Sequence, residues 1–168
     1  DVYPITLHDA VPTSDIAARR AAAACGVRFL RADGSAFVPV GGTLAEIARI
    51  DISARDPVLA AVDIVTMCDI DNPLCGDNGA AAVFGPQKGA DAAMVALLDA
   101  GLAHLADLIA RDLGHAVRDH PGAGAAGGMG AGMLAFFGSA LQMGIETVLD
   151  AVDFDRVLHD TDLVLTGE

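Results

Sequence analysis

An apolar run, Ala60-Ala61-Val62-Asp63-Ile64-Val65-Thr66-Met67, leads directly into Cys68-Asp69-Ile70-Asp71-Asn72-Pro73-Leu74-Cys75-Gly76. This junction constrains the fold more than any other stretch. The run reads as a buried strand. Asn72-Pro73 stops extended pairing, because proline lacks an N–H and restricts the residue before it. Two carboxylates and an amide therefore stand where a strand ends. After a small-residue turn, Phe84-Gly85-Pro86-Gln87-Lys88-Gly89 delivers a lysine to the threshold of a helix. Acids and an amide at a strand end, with a lysine further on, can hold a small polar ligand or a metal-bound phosphate.

A chain of 168 residues suits one domain of ordinary size. Aromatic residues make up 4% of it, so the core has to be assembled from Ala, Val, Leu and Ile, as in α/β domains with buried parallel strands. The net charge of −13 argues against nucleic acid or an anionic membrane as partner, since both need basic patches. No apolar run is expected to approach the roughly 20 residues that span a bilayer, and no secretory signal is evident. Cys25, Cys68 and Cys75 form neither an even-numbered disulfide framework nor a C-x-x-C pair, so free thiols and a cytoplasmic location are expected.

Along the chain, Ser14 is positioned to cap an alanine-rich helix through Cys25, ended by Gly26. Val27 to Leu30 is expected as a strand, followed by a hairpin turn at Ala32-Asp33-Gly34. Thr43-x-x-Glu46 fits a capping box that opens a helix from Leu44 to Ile50. The longest element expected is a helix over 91–113, with apolar residues at Met94, Leu97, Leu98, Leu102, Leu105, Leu108, Ile109 and Leu113, closed by Gly114. His104, beside that stripe, reads as a half-buried packing residue. Pro121 through Gly132 is dense in glycine and runs into Met133-Leu134-Ala135-Phe136-Phe137. Such a loop either offers N–H groups to an anion or allows tight packing, and spacing alone does not separate the two. It is not a Walker A loop, because no G-K-[ST] follows. A short helix over 144–152, a turn over 154–159 and a terminal strand over 162–168 complete the expected order.

The chain resembles the class I glycerate kinase family. The resemblance rests on Cys68 through Gly76, on Ala80 through Gly89, on Pro121 through Phe137 and on the terminal 162–168, in that order. It implies an α/β fold in which this chain is mostly the second, inserted α/β domain of a two-domain kinase. Residues 1–25 would be a divergent N-terminal segment, 26–160 that second domain, and 161–168 the first strand of the return to the other domain. Family motifs expected before residue 26 and after the final Thr-Gly-Glu are not in this sequence, so a fragment is expected.

The resemblance also implies ATP-dependent phosphorylation of D-glycerate to 2-phosphoglycerate, with ATP and Mg2+ as cofactors and no assigned metal ligands. Lys88, Asp71 and Glu168 would be the catalytic residues. Asp69, Asn72, Gln87, Gly122, Gly124, Gly127 and Gly128 would bind substrate. One of Asp69 and Asp71 would orient the glycerate hydroxyls or a magnesium ion while the other caps a turn, with Asp71 favoured as ligand-facing. The alternative is a non-catalytic remnant or an anion-binding structural domain. A metal-assisted hydrolase lacks support, because the histidines are scattered. Either a homodimer that covers the terminal strand or a flexible C-terminus is expected.

Overall fold

Short strands on either side of one long helix place the acidic junction at a sheet end in the computed structural model, which describes residues 13–165, with side chains from residue 18. Helix α1 (Thr13–Ala24) leads through Gly26, in a left-handed conformation, to a three-stranded antiparallel sheet of β1 (Arg28–Leu30), β2 (Ala36–Phe37) and β3 (Arg49–Asp51), in the order β2-β1-β3. The expected hairpin forms. Asp33 accepts from Ser35 N at 2.9 Å, Gly34 takes φ +84°, and Phe29 lies opposite Phe37.

The expected helix over Leu44 to Ile50 does not form. Gly41–Glu46 is a 3-10 segment, and β3 follows it directly. Thr43 does not cap from the N-terminal side: its Oγ1 accepts from Val40 N at 2.9 Å, and Glu46 pairs with Arg31 at 2.7 Å. Pairing with β1 wins because it buries Ile50 opposite Phe29, while Leu44 and Ile47 sink beneath the long helix.

The run over 60–67 is also shorter as a strand than its composition suggests. Only β4 (Val65–Met67) is extended, and Val65 and Met67 on it are exposed rather than buried. β4 pairs in parallel with β5 (Ala140–Gln142), a strand the sequence did not signal. Between them lie α2 (Ala80–Phe84), α3 (Ala92–Leu113) and α4 (Met129–Phe137), so the parallel connection is helical, as parallel strands require.

Helix α3 takes the bounds its periodicity predicts. Asp91 caps it by accepting from Met94 N at 2.8 Å, and Gly114 closes it at φ +76°. Its Leu98, Leu102, Leu105 and Ile109 are buried in one core with Phe29, Leu44, Leu74 and Phe136. With a mean hydropathy of 1.7 in its most apolar window, α3 is long and apolar enough to cross a bilayer, which corrects the expectation that no run approaches that length. Here that apolar stripe packs into the core. His104 is half-buried, with Nε2 2.7 Å from Ile47 O, as a packing histidine should be.

Beyond β5 come α5 (Gly144–Ala151) and α6 (Phe154–His159), the latter a helix where a turn was expected. Residues 161–165, part of the expected terminal strand, pair with no strand, and Leu163 and Leu165 are exposed.

Candidate functional site

The C-terminal ends of β4 and β5 bring the acidic junction and the glycine loop together. Cys68 N continues the parallel pairing by donating to Gln142 O at 2.8 Å. One residue later, the Asp69 carboxylate accepts from Gly144 N, the first residue of α5, at 2.7 Å. An anion at a helix N-terminus satisfies an orphan donor and complements the dipole, so this carboxylate is held by the fold.

Asp71 is exposed and lines a cavity of about 130 Å³ with Cys68, Ile70, His120, Pro121, Leu141, Gln142 and Met143. Pockets for drug-sized ligands run to roughly 300–1,000 Å³, so this one suits a molecule of a few heavy atoms rather than a nucleotide. Asn72, next in sequence, turns its amide inward and donates to Asn78 O at 2.9 Å, which ties down the turn before α2.

The glycine loop packs against this junction. Gly122, at φ +81°, lies so close that a Cβ there would stand 2.8 Å from Cys68 Sγ, and a Cβ on Gly124 would overlap the Pro73 carbonyl. The loop's N–H groups are largely spent inside the protein. Gly124 N donates to Asn72 O at 2.9 Å, Gly127 N to Gly124 O at 3.0 Å and Gly128 N to Ala125 O at 3.2 Å. Close approach of two backbones is the demonstrable task of these glycines.

Lys88 ends the 3-10 turn Pro86–Lys88 and is half-buried, with Gln87 exposed beside it. Neither lines the Asp71 cavity. Glu168 lies outside the described residues. The structure thus places Asp71 in a cavity wall, packs Gly122 and Gly124 against the acidic junction, commits Asp69 and Asn72 to hydrogen bonds within the chain, and sets Gln87 and Lys88 apart from that cavity.

Two cavity residues were missed by sequence reasoning. His120 directly precedes Pro121 of the glycine loop, a position that should have drawn attention. Its Nδ1 is 2.8 Å from Pro121 O, a carbonyl that can only accept, so Nδ1 carries a proton. Gln142 ends β5, and its Nε2 donates to Asp150 Oδ2 at 3.2 Å. Only recognition of β5 as a strand would have pointed to it. Among the described residues, no three His, Cys, Asp or Glu side chains converge as in an all-protein metal site.

Comparison with known proteins adds a family. The model of the glycerate kinase family matches residues 13–168. A glycerate kinase of Halalkalibacterium halodurans is 49% identical over 147 residues, which are 88% of this chain and 39% of the relative. A glycerate 2-kinase of Escherichia coli strain K12 is 48% identical over 145 residues, 86% of this chain and 38% of the relative. A crystal structure of a protein assigned as glycerate kinase 2 from Salmonella typhimurium LT2 superposes with a TM-score of 0.80 at 50% identity, covering 88% of this chain and 39% of that one. The chain therefore spans about two fifths of the length of these relatives.

Proposed function

This chain belongs to the glycerate kinase family, and from that premise we propose that it supplies the hydroxy-acid site of an enzyme that phosphorylates D-glycerate from ATP. The observation that carries the reading is the small cavity at the C-terminal ends of the parallel strands, with the Asp71 carboxylate in its wall. Ligands of open parallel sheets bind at that end.

In the reaction, a glycerate hydroxyl oxygen attacks the γ-phosphorus of ATP, the bond to the β,γ-bridging oxygen breaks, and ADP leaves. Asp71 orients that hydroxyl and accepts its proton. Lys88, with Gln87 beside it, neutralises phosphate charge. Gly122 and Gly124 let the loop approach the acidic junction closely, Gly127 and Gly128 turn it through left-handed backbone, and Asp69 and Asn72 tie the junction down. Magnesium is assigned to the nucleotide rather than to a cage in this chain, and Glu168 retains its proposed role at the end of the return segment. The product is 2-phosphoglycerate, residues 26–160 correspond to the second domain of the family, and the location is cytoplasmic. A second reading, glycerate binding without turnover, is favoured by one observation: Lys88 does not share the Asp71 cavity.

The test is ADP release from MgATP with and without D-glycerate, with this chain set into the matching stretch of a full-length relative. Glycerate-dependent release that falls at least a hundredfold in Asp71→Asn and in Lys88→Ala is expected, within the range that general-base loss produces. Glycerate binding with no ADP release selects the second reading. Absence of both refutes the proposal.

A further inference from the structure

The proposed substrate is an anion, and the cavity offered to it contains an anion already. Of the residues lining it, Asp71 supplies a carboxylate, Gln142 is a neutral amide, and Ile70, Pro121, Leu141 and Met143 are apolar. A carboxylate entering beside Asp71 meets like-charge repulsion. Lys88 does not line the cavity. His120 alone among the lining residues can carry positive charge.

The ring is prepared for this. Its backbone is fixed in a turn, with Ala123 N donating to His120 O at 3.0 Å and His120 N 3.4 Å from Val117 O. Nδ1 is engaged by Pro121 O at 2.8 Å, so Nε2 is the nitrogen available to a ligand. The same ring also lines a neighbouring cavity of about 270 Å³ with His115, Val117, Leu134 and Ser139, which leaves it open to solvent on a second side.

We propose that His120 is a specificity-determining residue that binds the substrate carboxylate through protonated Nε2, making affinity for the hydroxy acid pH-dependent. The inference rests on the glycerate reading above. Unprotonated, Nε2 presents a lone pair to the carboxylate and repels it. Protonated, it becomes a charged donor, and charge-assisted hydrogen bonds are the stronger kind. The groups facing the ring are Asp71 and Cys68 across the first cavity and His115 across the second. Its neighbour Arg118 is paired with Asp107 at 2.6 Å, and Asp119 is exposed.

The experiment is calorimetric titration of the chain with D-glycerate, and with glycerol as a neutral analogue, near pH 5 and near pH 8, the span over which histidines change charge. The unmutated chain and His115→Gln should bind glycerate about tenfold more tightly at the lower pH, one charge-assisted contact being worth roughly that factor. His120→Gln should lose this difference, and glycerol should never show it. In the unmutated chain, the His120 ¹³Cε1 resonance should shift on adding glycerate, a readout that needs no variant. Binding whose pH dependence survives in His120→Gln, with an unmoved resonance, overturns the role of His120 and leaves the glycerate reading standing. No glycerate binding at either pH overturns both.

Discussion

Asp69 and Asp71 are two residues apart and alike in chemistry, yet the structure gives them different work. Asp69 holds the first N–H of α5 across 75 positions of sequence, and Asp71 faces a cavity. Asp69→Ala should therefore lower stability by about 1 kcal/mol, the usual worth of such a cap, seen as a reduced melting temperature. Asp71→Asn should leave the melting temperature unchanged while glycerate binding or turnover falls. Equal thermal losses in both variants would contradict this division. Gly124 gives a complementary test. A Cβ there would overlap the Pro73 carbonyl, so Gly124→Ala should cost roughly 1–3 kcal/mol in denaturant unfolding, the typical penalty for overpacking. The sequence made the glycines legible as points of close approach, and it placed both acids at a strand end. It could not say which acid the helix would claim, because that depends on β5 lying beside β4.

Among the elements, α3 was legible because its apolar period runs unbroken for more than five turns, and periodicity of that length has one solution. β3 and β5 were not, being three-residue strands whose partners are distant in sequence, while β4 was foreseen within the run 60–67 but as a longer strand. The misread capping box shows the physics at work. The edge of β3 is occupied by the last turn of α3: Asp112 Oδ2 accepts from Ile50 N at 2.7 Å while Arg111 Nη2 donates to Ala48 O at 2.8 Å. Together the two side chains imitate a neighbouring strand and block the edge to other chains. Hydrogen bonding from Arg111, and next the Ile50 N–H, holds the Asp112 carboxyl below its usual range. Asp51 on β3 is likewise held low, by Ser53 and Arg28. A depressed folded-state value means stabilisation that is present in full above about pH 4 and is lost as pH falls through the folded value. Asp112→Ala should cost about 1–3 kcal/mol at neutral pH and flatten the dependence of melting temperature on pH below 4. An unchanged acid slope in the variant would show that Asp112 contributes nothing to acid sensitivity.

At the scale of the molecule, apolar side chains stay exposed near the C-terminal helices. Helix α5 carries Ile145 and Val148 toward solvent, with Val152 exposed at its C-cap, and Met67 of β4 and Leu163 and Leu165 beyond α6 are exposed as well. A helix normally turns its apolar stripe inward, as α3 does. Burying side chains of this size contributes about 1.5–3 kcal/mol each when complete. Association costs roughly 4–15 kcal/mol before any contact is made. Two or three such residues would not offset that cost, but a two-fold pair buries every one of them twice. A homodimer through α5 is therefore the expected state in concentrated solution. Sedimentation velocity should show a monomer giving way to a dimer between low-micromolar and submillimolar protein, and Val148→Asp with Val152→Asp should abolish the dimer. Both positions are exposed in the monomer, so the double variant should keep its far-UV circular dichroism and its glycerate affinity. A parent chain that stays monomeric across the whole range would mean that these side chains are too dispersed to act as one surface. Dimerisation that survives the double variant would move the interface away from α5, to Met67 or to the Leu163–Leu165 segment.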